Sequence, residues 1–194
     1  MLRSRGVSKY ILKYIVIVCA VGLGSAIPLA NTHIMIQNQP TETTFSNQNS
    51  FVEAVVSKNV DGDTIHIKIN NKDYPLRLIG VNSPEYMKPD SPVEYYGKEA
   101  SEFTKSKLMI GRKIWLENDS SITDKYDRLL KYVWLEKPEQ ANESEIRTKM
   151  FNAILVLKGY AKVMTILPDA KYSDCFIKFE KEAHSENKGL WNIK

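Results

Sequence analysis

Three segments near the middle of the chain alternate apolar and polar side chains, the pattern of half-buried β-strands. They are Phe51–Lys58, Thr64–Ile69 and Tyr74–Val81. Asn70–Lys72 separates the last two and is typical of a hairpin turn. A hairpin places the start of one strand beside the end of its partner. The residues just before position 64 and just after position 81 should therefore lie together.

The rest of the chain predicts further short elements. Strands are expected at Lys113–Glu117 and Leu129–Leu135, helices at Lys98–Met109, Met150–Lys158 and Tyr172–Asn187, an extended stretch at Ala161–Val163, and an exposed charged loop at Lys137–Thr148. Five short strands with about three helices indicate an α+β, mainly β fold. We expect a five-stranded barrel of the OB type, because the first three strands are too close together for the crossover helices of a parallel sheet.

The N-terminal residues 1–30 have the composition of a targeting segment. A basic start precedes the uncharged run Tyr14–Ala30, which is short for a membrane-spanning helix of ~20 apolar residues. Small residues at Ser25, Ala26 and Ala30 could serve a signal peptidase. We favour a cleaved export signal over a retained N-terminal anchor, and hence a secreted or cell-envelope protein.

Residues 31–50 are polar, rich in amides and without a clear period, so we predict a flexible linker. The folded domain should then occupy residues 51–194. The chain has 27 basic and 23 acidic residues, but four of the basic ones precede position 14 and no acidic one precedes Glu42. The chain after residue 30 is therefore balanced, and any binding of a polyanion must come from local clusters. Loss of Cys19 with the signal would leave Cys175 without a disulfide partner.

Candidate chemistry gathers where the predicted hairpin closes. Asp61-Gly62-Asp63 is a turn signal, Asn82 and Glu85 follow the returning strand, and Arg77 lies on it. Alone, the Asp-Gly-Asp sequence is typical of an ordinary turn, and a strand arginine of a solvated face. Together they put oxygen ligands beside a guanidinium, which suits a hard cation next to a phosphate.

Several motifs occur in the order and spacing of a known family. They are Val60–Thr64, Arg77–Glu85, Tyr96–Ser101, Thr123–Arg128, Asn152, Gly159–Val163 and Gly189–Trp191. From Phe51 to Trp191 the chain resembles the staphylococcal nuclease, or thermonuclease, family. The resemblance implies an OB barrel that uses one Ca²⁺ to hydrolyse the backbones of DNA, RNA or both, with nucleic acid as its partner. We expect the protein to be a monomer.

The resemblance also implies roles for individual residues. Asp63, Asn82, Ser83 and Glu85 are the implied metal ligands, Ser83 through its backbone carbonyl. Glu85 is in addition the candidate general base, although it could instead orient the attacking water.

Arg77 and Arg128 match the two arginines that hold the phosphate, and an arginine fork suits that task because it donates two hydrogen bonds and stays charged. Lys125 and Tyr126 match positions near a terminal phosphate. A solvated lysine and a packing tyrosine are equally expected there.

Three departures from the family pattern change the expectation. Asn82 stands where the family has a second aspartate, the loop 87–93 holds a single lysine, and Met164–Pro168 lacks the tyrosines that contact the base and phosphate. Loss of one charge from the metal site should weaken calcium binding roughly ten- to a hundredfold. We therefore expect weaker substrate affinity and little base preference, with the chemistry intact.

Two other function classes remain open. One is a non-catalytic nucleic-acid-binding OB module, and the other is an exported OB domain that binds another polymer or a protein. Both arginines and Glu85 are present, which favours the enzyme. Contact with a membrane is expected only if the N-terminal segment is retained.

Overall fold

The barrel predicted from the alternating segments is present in the computed structural model, which describes residues 51–86 and 92–192. The predicted targeting segment 1–30, the linker 31–50 and positions 87–91 of the lysine-poor loop lie outside the described residues. In the part of the chain that is described, no helix has the length and apolarity needed to cross a bilayer.

Seven strands and four α-helices make up the described part of the chain. The strands are β1 Val52–Asn59, β2 Thr64–Ile69, β3 Lys72–Leu78, β4 Val81–Asn82, β5 Lys113–Glu117, β6 Leu129–Trp134 and β7 Lys162–Val163; the helices are α1 Gly97–Lys107, α2 Glu143–Lys149, α3 Phe151–Leu157 and α4 Ser173–Ser185, followed by a 3-10 turn at Gly189–Trp191.

Five of these strands close into a barrel in the order β1-β2-β3-β6-β5. The neighbours are antiparallel except β3 and β6, which are parallel. Alternate side chains of each strand fill the interior, for example Ile65 and Ile67 of β2, both fully buried. The five-stranded OB-type barrel is thus confirmed.

The β2–β3 hairpin has the register that brings the candidate site together. Asn70 and Asn71 make the turn with φ of 50° and 64°, conformations that asparagine tolerates better than most residues. Thr64 pairs with Arg77 across the strands. Beyond this pair, the Leu78 N–H donates to the Asp63 carbonyl at 3.0 Å, so Asp63 lies beside the end of β3.

The returning strand is shorter than the alternation predicted. β3 ends at Leu78, and a turn at Ile79-Gly80, with Gly80 at φ 77°, separates it from β4. A side chain at Gly80 would meet the Phe176 ring at 2.7 Å. β4 leaves the barrel and pairs with β7 instead, through Val81 with Val163 and Asn82 with Lys162. The predicted strand through Val81 was wrong because the turn breaks it.

The segment predicted as an exposed loop at 137–148 contains a helix, so four α-helices replace the expected three. Asn142 caps α2 by accepting a hydrogen bond from the Glu145 N–H at 3.0 Å. Ion pairs four residues apart, such as Lys149 with Glu145, lie along the helix. Only one side chain of α2, Ile146, is buried, so the hydrophobic period was too weak to reveal the helix.

The predicted C-terminal helix is present as α4, and one of its faces is apolar and buried. Phe176, Phe179 and Ala183 are buried, while Cys175 is half-buried and carries a free thiol. Leu190 is buried after the helix and adds a further apolar contact at the C-terminal end.

Candidate active site

A pocket of about 540 Å³ brings together side chains from four separate segments of the chain. Its lining residues are Val60, Asp61, Asp63, Thr64, Arg77, Asn82, Glu85, Tyr126, Arg128 and Met164. Six of the eight residues predicted from the sequence are among them. The pocket is therefore the place where any chemistry of these residues would occur.

Asp63 is held rigidly at the pocket wall. Its Oδ2 accepts the Ser83 N–H at 2.7 Å and lies 3.0 Å from the Arg77 Nη2. Its Oδ1 accepts the Thr64 hydroxyl at 3.0 Å. The side chain is only 9% exposed, so it presents a fixed carboxylate that still has lone pairs for a further ligand.

Arg77 is the most tightly bound of the predicted residues. Its Nη1 donates to the carbonyls of Leu78 and Val81, both at 2.8 Å, and its Nη2 donates to Asn82 Oδ1 at 3.1 Å. Burial lowers the pKa of the guanidinium, and the charge of Arg128 lowers it further, whereas Asp63 and Glu85 raise it. These mutual influences follow from four charged groups sharing one pocket.

Arg128 is positioned by a residue that the sequence analysis did not single out. Its Nε and Nη2 both contact Asp124 Oδ2 at 2.7 Å. Asp124 Oδ1 accepts the backbone N–H groups of Tyr126 and Arg128. Burial raises the pKa of the Asp124 carboxyl, but these hydrogen bonds outweigh it and hold the pKa below the usual range. Among the described residues Arg128 Nη1 has no hydrogen-bond partner, so one edge of the guanidinium is available to a ligand.

Asp61 also lines the pocket, although it was interpreted from the sequence only as a turn residue. Its carboxylate accepts the N–H groups of Gly62 and Tyr86, at 2.8 and 3.2 Å. The turn is closely packed, because a side chain at Gly62 would lie 2.5 Å from the Ser83 hydroxyl. The signal that could have found Asp61 is its place two residues before Asp63 in the same turn.

Glu85 is half-buried on the pocket wall. Its backbone exchanges contacts with Glu94: its carbonyl accepts the Glu94 N–H at 2.9 Å, and its N–H donates to Glu94 Oε2 at 3.2 Å. Helix α1 begins directly against it, since a side chain at Gly97 would lie 2.7 Å from the Glu85 carbonyl oxygen. Glycine at that position is what permits the close approach.

The remaining predicted residues divide between the pocket and its surroundings. Tyr126 lines the pocket and is 66% exposed. Lys125 is exposed with its Nζ 5.0 Å from the Tyr126 ring, and it is not among the lining residues. Ser83 is buried just behind the wall, where its N–H binds Asp63. Met164, from the segment noted for its missing tyrosines, lines the pocket.

The pocket offers the donor types that a hard cation prefers. The carboxylates of Asp61, Asp63 and Glu85 supply oxygen, Asn82 has an amide oxygen that Arg77 already hydrogen-bonds, and no cysteine or histidine is among the described residues that line the pocket. Within residues 51–86 and 92–192, however, no three acidic, histidine or cysteine side chains are close enough together to hold a metal ion unaided. Calcium would need backbone carbonyl, water or substrate oxygens to complete its shell, as such ions commonly take.

Comparisons with known proteins agree with the geometry. The family model described as "Staphylococcal nuclease homologue" matches residues 75–193. The chain is 36% identical over 169 residues to the thermonuclease of Staphylococcus hyicus, which covers 87% of this chain and 92% of that protein. It is 39% identical over 137 residues to the thermonuclease of Staphylococcus intermedius, covering 71% of this chain and 74% of that one. It is 34% identical over 148 residues to "Endonuclease YncB" of Bacillus subtilis (strain 168), covering 75% and 64%. The chain therefore belongs to the staphylococcal nuclease family.

Proposed function

We propose that this protein is an exported, Ca²⁺-dependent nuclease that hydrolyses the phosphodiester bonds of DNA, RNA or both. Membership of the staphylococcal nuclease family makes it a hydrolase of the nuclease class. The single observation that supports the chemistry is that Asp63, Glu85, Arg77 and Arg128 line one pocket. They come from two separate parts of the chain, positions 63–85 and position 128, and each is of a type that phosphodiester hydrolysis needs.

The two arginines bind the phosphate in this proposal. Arg128 offers its Nη1 edge, which has no hydrogen-bond partner among the described residues, while Arg77 is buried and contributes its positive charge beside Asp63. Negative charge on the phosphoryl oxygens increases as the attacking water adds to phosphorus. Fixed guanidinium groups stabilise that charge more strongly in the transition state than in the bound substrate, which accelerates the reaction.

Glu85 acts on the water. Its carboxylate lies on the pocket wall with the arginines, where it can accept a hydrogen bond from a water held opposite the leaving oxygen. Either removal of the proton or orientation of the water would use the same position.

Asp63 and Glu85, with the Ser83 carbonyl, are the residues that would hold Ca²⁺. Bound there, the ion would supply positive charge to a phosphate oxygen and make a nearby water more acidic. Asp63 is suited to this role because the Arg77, Ser83 and Thr64 contacts leave its carboxylate with unused lone pairs. Calcium in the range of ~10⁻⁴–10⁻³ M fills extracellular sites of moderate affinity.

We base the proposals of export, a monomeric state and any membrane contact on the amino-acid sequence. The basic start and apolar run of residues 1–30 support a cleaved signal, and contact with a membrane would require that segment to be retained. Sequencing the N-terminus of the protein recovered outside the producing cell tests the first point, because a cleaved signal leaves a start near residue 31.

The deciding experiment is to incubate the purified protein with labelled single-stranded DNA or RNA, in calcium or in excess chelator. We expect cleavage in calcium and none in chelator. Restoring calcium after chelation should restore activity, which separates loss of the ion from loss of the fold. Cleavage that continues in chelator would remove the metal from the mechanism. Binding of DNA without cleavage in calcium would instead indicate a non-catalytic module.

A further inference from the structure

The amide of Asn82 is oriented by its neighbour Arg77. Asn82 Oδ1 accepts a hydrogen bond from Arg77 Nη2 at 3.1 Å. The opposite orientation would put two N–H donors against a guanidinium that has only donors, so the oxygen must face Arg77. The Nδ2 group therefore points away from Arg77.

The two N–H groups of Asn82 Nδ2 have no hydrogen-bond acceptor among residues 51–86 and 92–192. Asn82 is exposed, and it lines the pocket together with Arg128 and Glu85. An amide N–H₂ group on a pocket wall attracts an acceptor atom and disfavours a cation. Asn82 thus adds hydrogen-bond donors to a pocket that already has two guanidinium groups.

The backbone fixes Asn82 in this place. β4 pairs with β7 through Val81 with Val163 and Asn82 with Lys162, so the residue lies in a small sheet rather than in a free loop. The Val81 carbonyl accepts from Arg77 Nη1 at 2.8 Å, next to the Asn82 contact. Arg77 therefore binds two successive residues of β4, and a change at Asn82 acts on both the pocket wall and the arginine.

We propose that Asn82 is a phosphate-binding residue: its Nδ2 donates to an oxygen of the bound phosphodiester, while its Oδ1 holds Arg77 in place. This deepens the proposed function and rests on it for the identity of the ligand. An aspartate at this position would offer only acceptors and would repel phosphate. With asparagine, this position binds the substrate instead of the metal ion. The pocket then has some affinity for nucleic acid that does not depend on calcium.

Two binding measurements test the proposal, each on the full chain and its Asn82→Ala variant. The first is the affinity for a short single-stranded DNA in excess chelator, by fluorescence anisotropy at fixed salt. The second is the affinity for Ca²⁺ alone, by calorimetry. Because hydrogen bonds to charged groups are the stronger ones, we expect Asn82→Ala to bind DNA about tenfold more weakly without metal. Its calcium affinity should not change.

Two further variants complete the design. In chelator, Asn82→Asp should bind DNA still more weakly than Asn82→Ala does, because it lacks the N–H donor and also carries a negative charge. Asn142→Ala removes an exposed asparagine far along the chain, at the cap of α2, and should leave DNA binding as it is. Asn82 is exposed, so the truncation should not unfold the protein, and a circular dichroism spectrum verifies this.

Weaker calcium binding by Asn82→Ala with unchanged DNA affinity would overturn the proposal and return Asn82 to the metal ligands. Unchanged DNA affinity in chelator overturns it whatever the calcium result, and so does a native chain that binds no DNA in chelator. None of these outcomes affects calcium-dependent cleavage by the native chain, which is the test of the proposed function. The two ideas can therefore fail separately.

Discussion

Asp124 holds one edge of Arg128, with Nε and Nη2 both 2.7 Å from a single carboxylate oxygen. The second oxygen accepts the backbone N–H groups of Tyr126 and Arg128, at 2.9 and 3.1 Å. The Asp124 side chain thus fixes both the backbone of residues 124–128 and the direction of the Arg128 guanidinium. Asp124 is a positioning residue, since it is not among the residues that line the pocket.

Replacing Asp124 with Asn should lower the turnover number about tenfold, because the amide keeps an acceptor for the loop but loses the charge that orients Arg128. Steady-state cleavage of DNA checks this, with the turnover number and KM measured separately. Burial raises the pKa of Asp124, but the hydrogen bonds from Arg128 and the backbone outweigh it and hold the pKa below its usual range, so the native carboxylate stays charged on mild acidification. The advantage of the native enzyme over the variant should therefore persist through pH 5. Equal turnover numbers for the native enzyme and Asp124→Asn would show that the charge of Asp124 is not needed to position Arg128.

Arg128→Lys should reduce turnover by about two orders of magnitude, with little effect on folding. A lysine keeps the charge but cannot both bind Asp124 through one edge and present a second donor to phosphate. The loss of one transition-state donor typically costs ~10²–10³ in turnover. Cleavage rates at saturating substrate and calcium measure the effect.

Arg147→Lys is the matched control for this change. Arg147 also pairs with a carboxylate four residues away, and its side chain is 35% exposed against 29% for Arg128. It lies on α2 and is not among the residues that line the pocket. The control should cleave at the native rate. If both variants lose activity equally, the loss reflects general damage and the assignment of Arg128 fails.

The barrel and the pairing of its hairpin could be predicted because they depend on local patterns. Alternation with period two marks each barrel strand, and the Asn70-Asn71 turn fixes the register of β2 and β3. That register alone brings Asp63 beside the end of β3. These two features place Asp63 and Arg77 together, whereas Arg128, Lys125 and Tyr126 could be assigned only through the family resemblance.

The features that the sequence did not reveal depend on contacts between distant segments. The turn after Leu78 lets β4 pair with β7, about 80 residues further along. α2 was missed because its stability comes from a cap and ion pairs rather than from a hydrophobic face. Asp124 resembles an ordinary turn residue until the Arg128 guanidinium is seen against it.

Lys131 gives the fold a pH dependence outside the pocket. It is 7% exposed, and burial lowers its pKa from 10.5 to about 8, with Asp169 opposing the shift. Between these two pH values the unfolded chain binds more protons than the folded one, so a rise in pH favours the fold. The free energy of unfolding of the native protein should therefore increase from pH 8 to pH 10 relative to that of Lys131→Met.

Urea denaturation at several pH values measures that difference. Lys98→Met removes a lysine whose side chain is 60% exposed and so controls for the change in net charge. Comparison between variants also removes the contributions of Tyr132 and Tyr172, whose raised pKa values affect all three proteins alike above pH 10. Parallel curves for the native protein and Lys131→Met would show that Lys131 keeps its proton in the folded state.

Gly159 and Gly189 join α3 to the C-terminal turn through a contact that leaves no room for a side chain. A Cβ on Gly159, at φ 71°, would lie 2.3 Å from the Lys188 carbonyl oxygen. The Gly159 carbonyl in turn accepts the Leu190 N–H at 2.8 Å. Gly111 has φ 87°, but a Cβ there would have no atom of the described residues within 4 Å. Gly111→Ala should therefore cost only the left-handed strain of about 1–2 kcal/mol. Gly159→Ala should cost a further ~2 kcal/mol, because the backbone of the C-terminal turn must move. Urea denaturation of the two variants measures the loss in free energy of unfolding, and the difference between them is the cost of the steric contact with Lys188. Equal losses would mean that the backbone moves aside without cost.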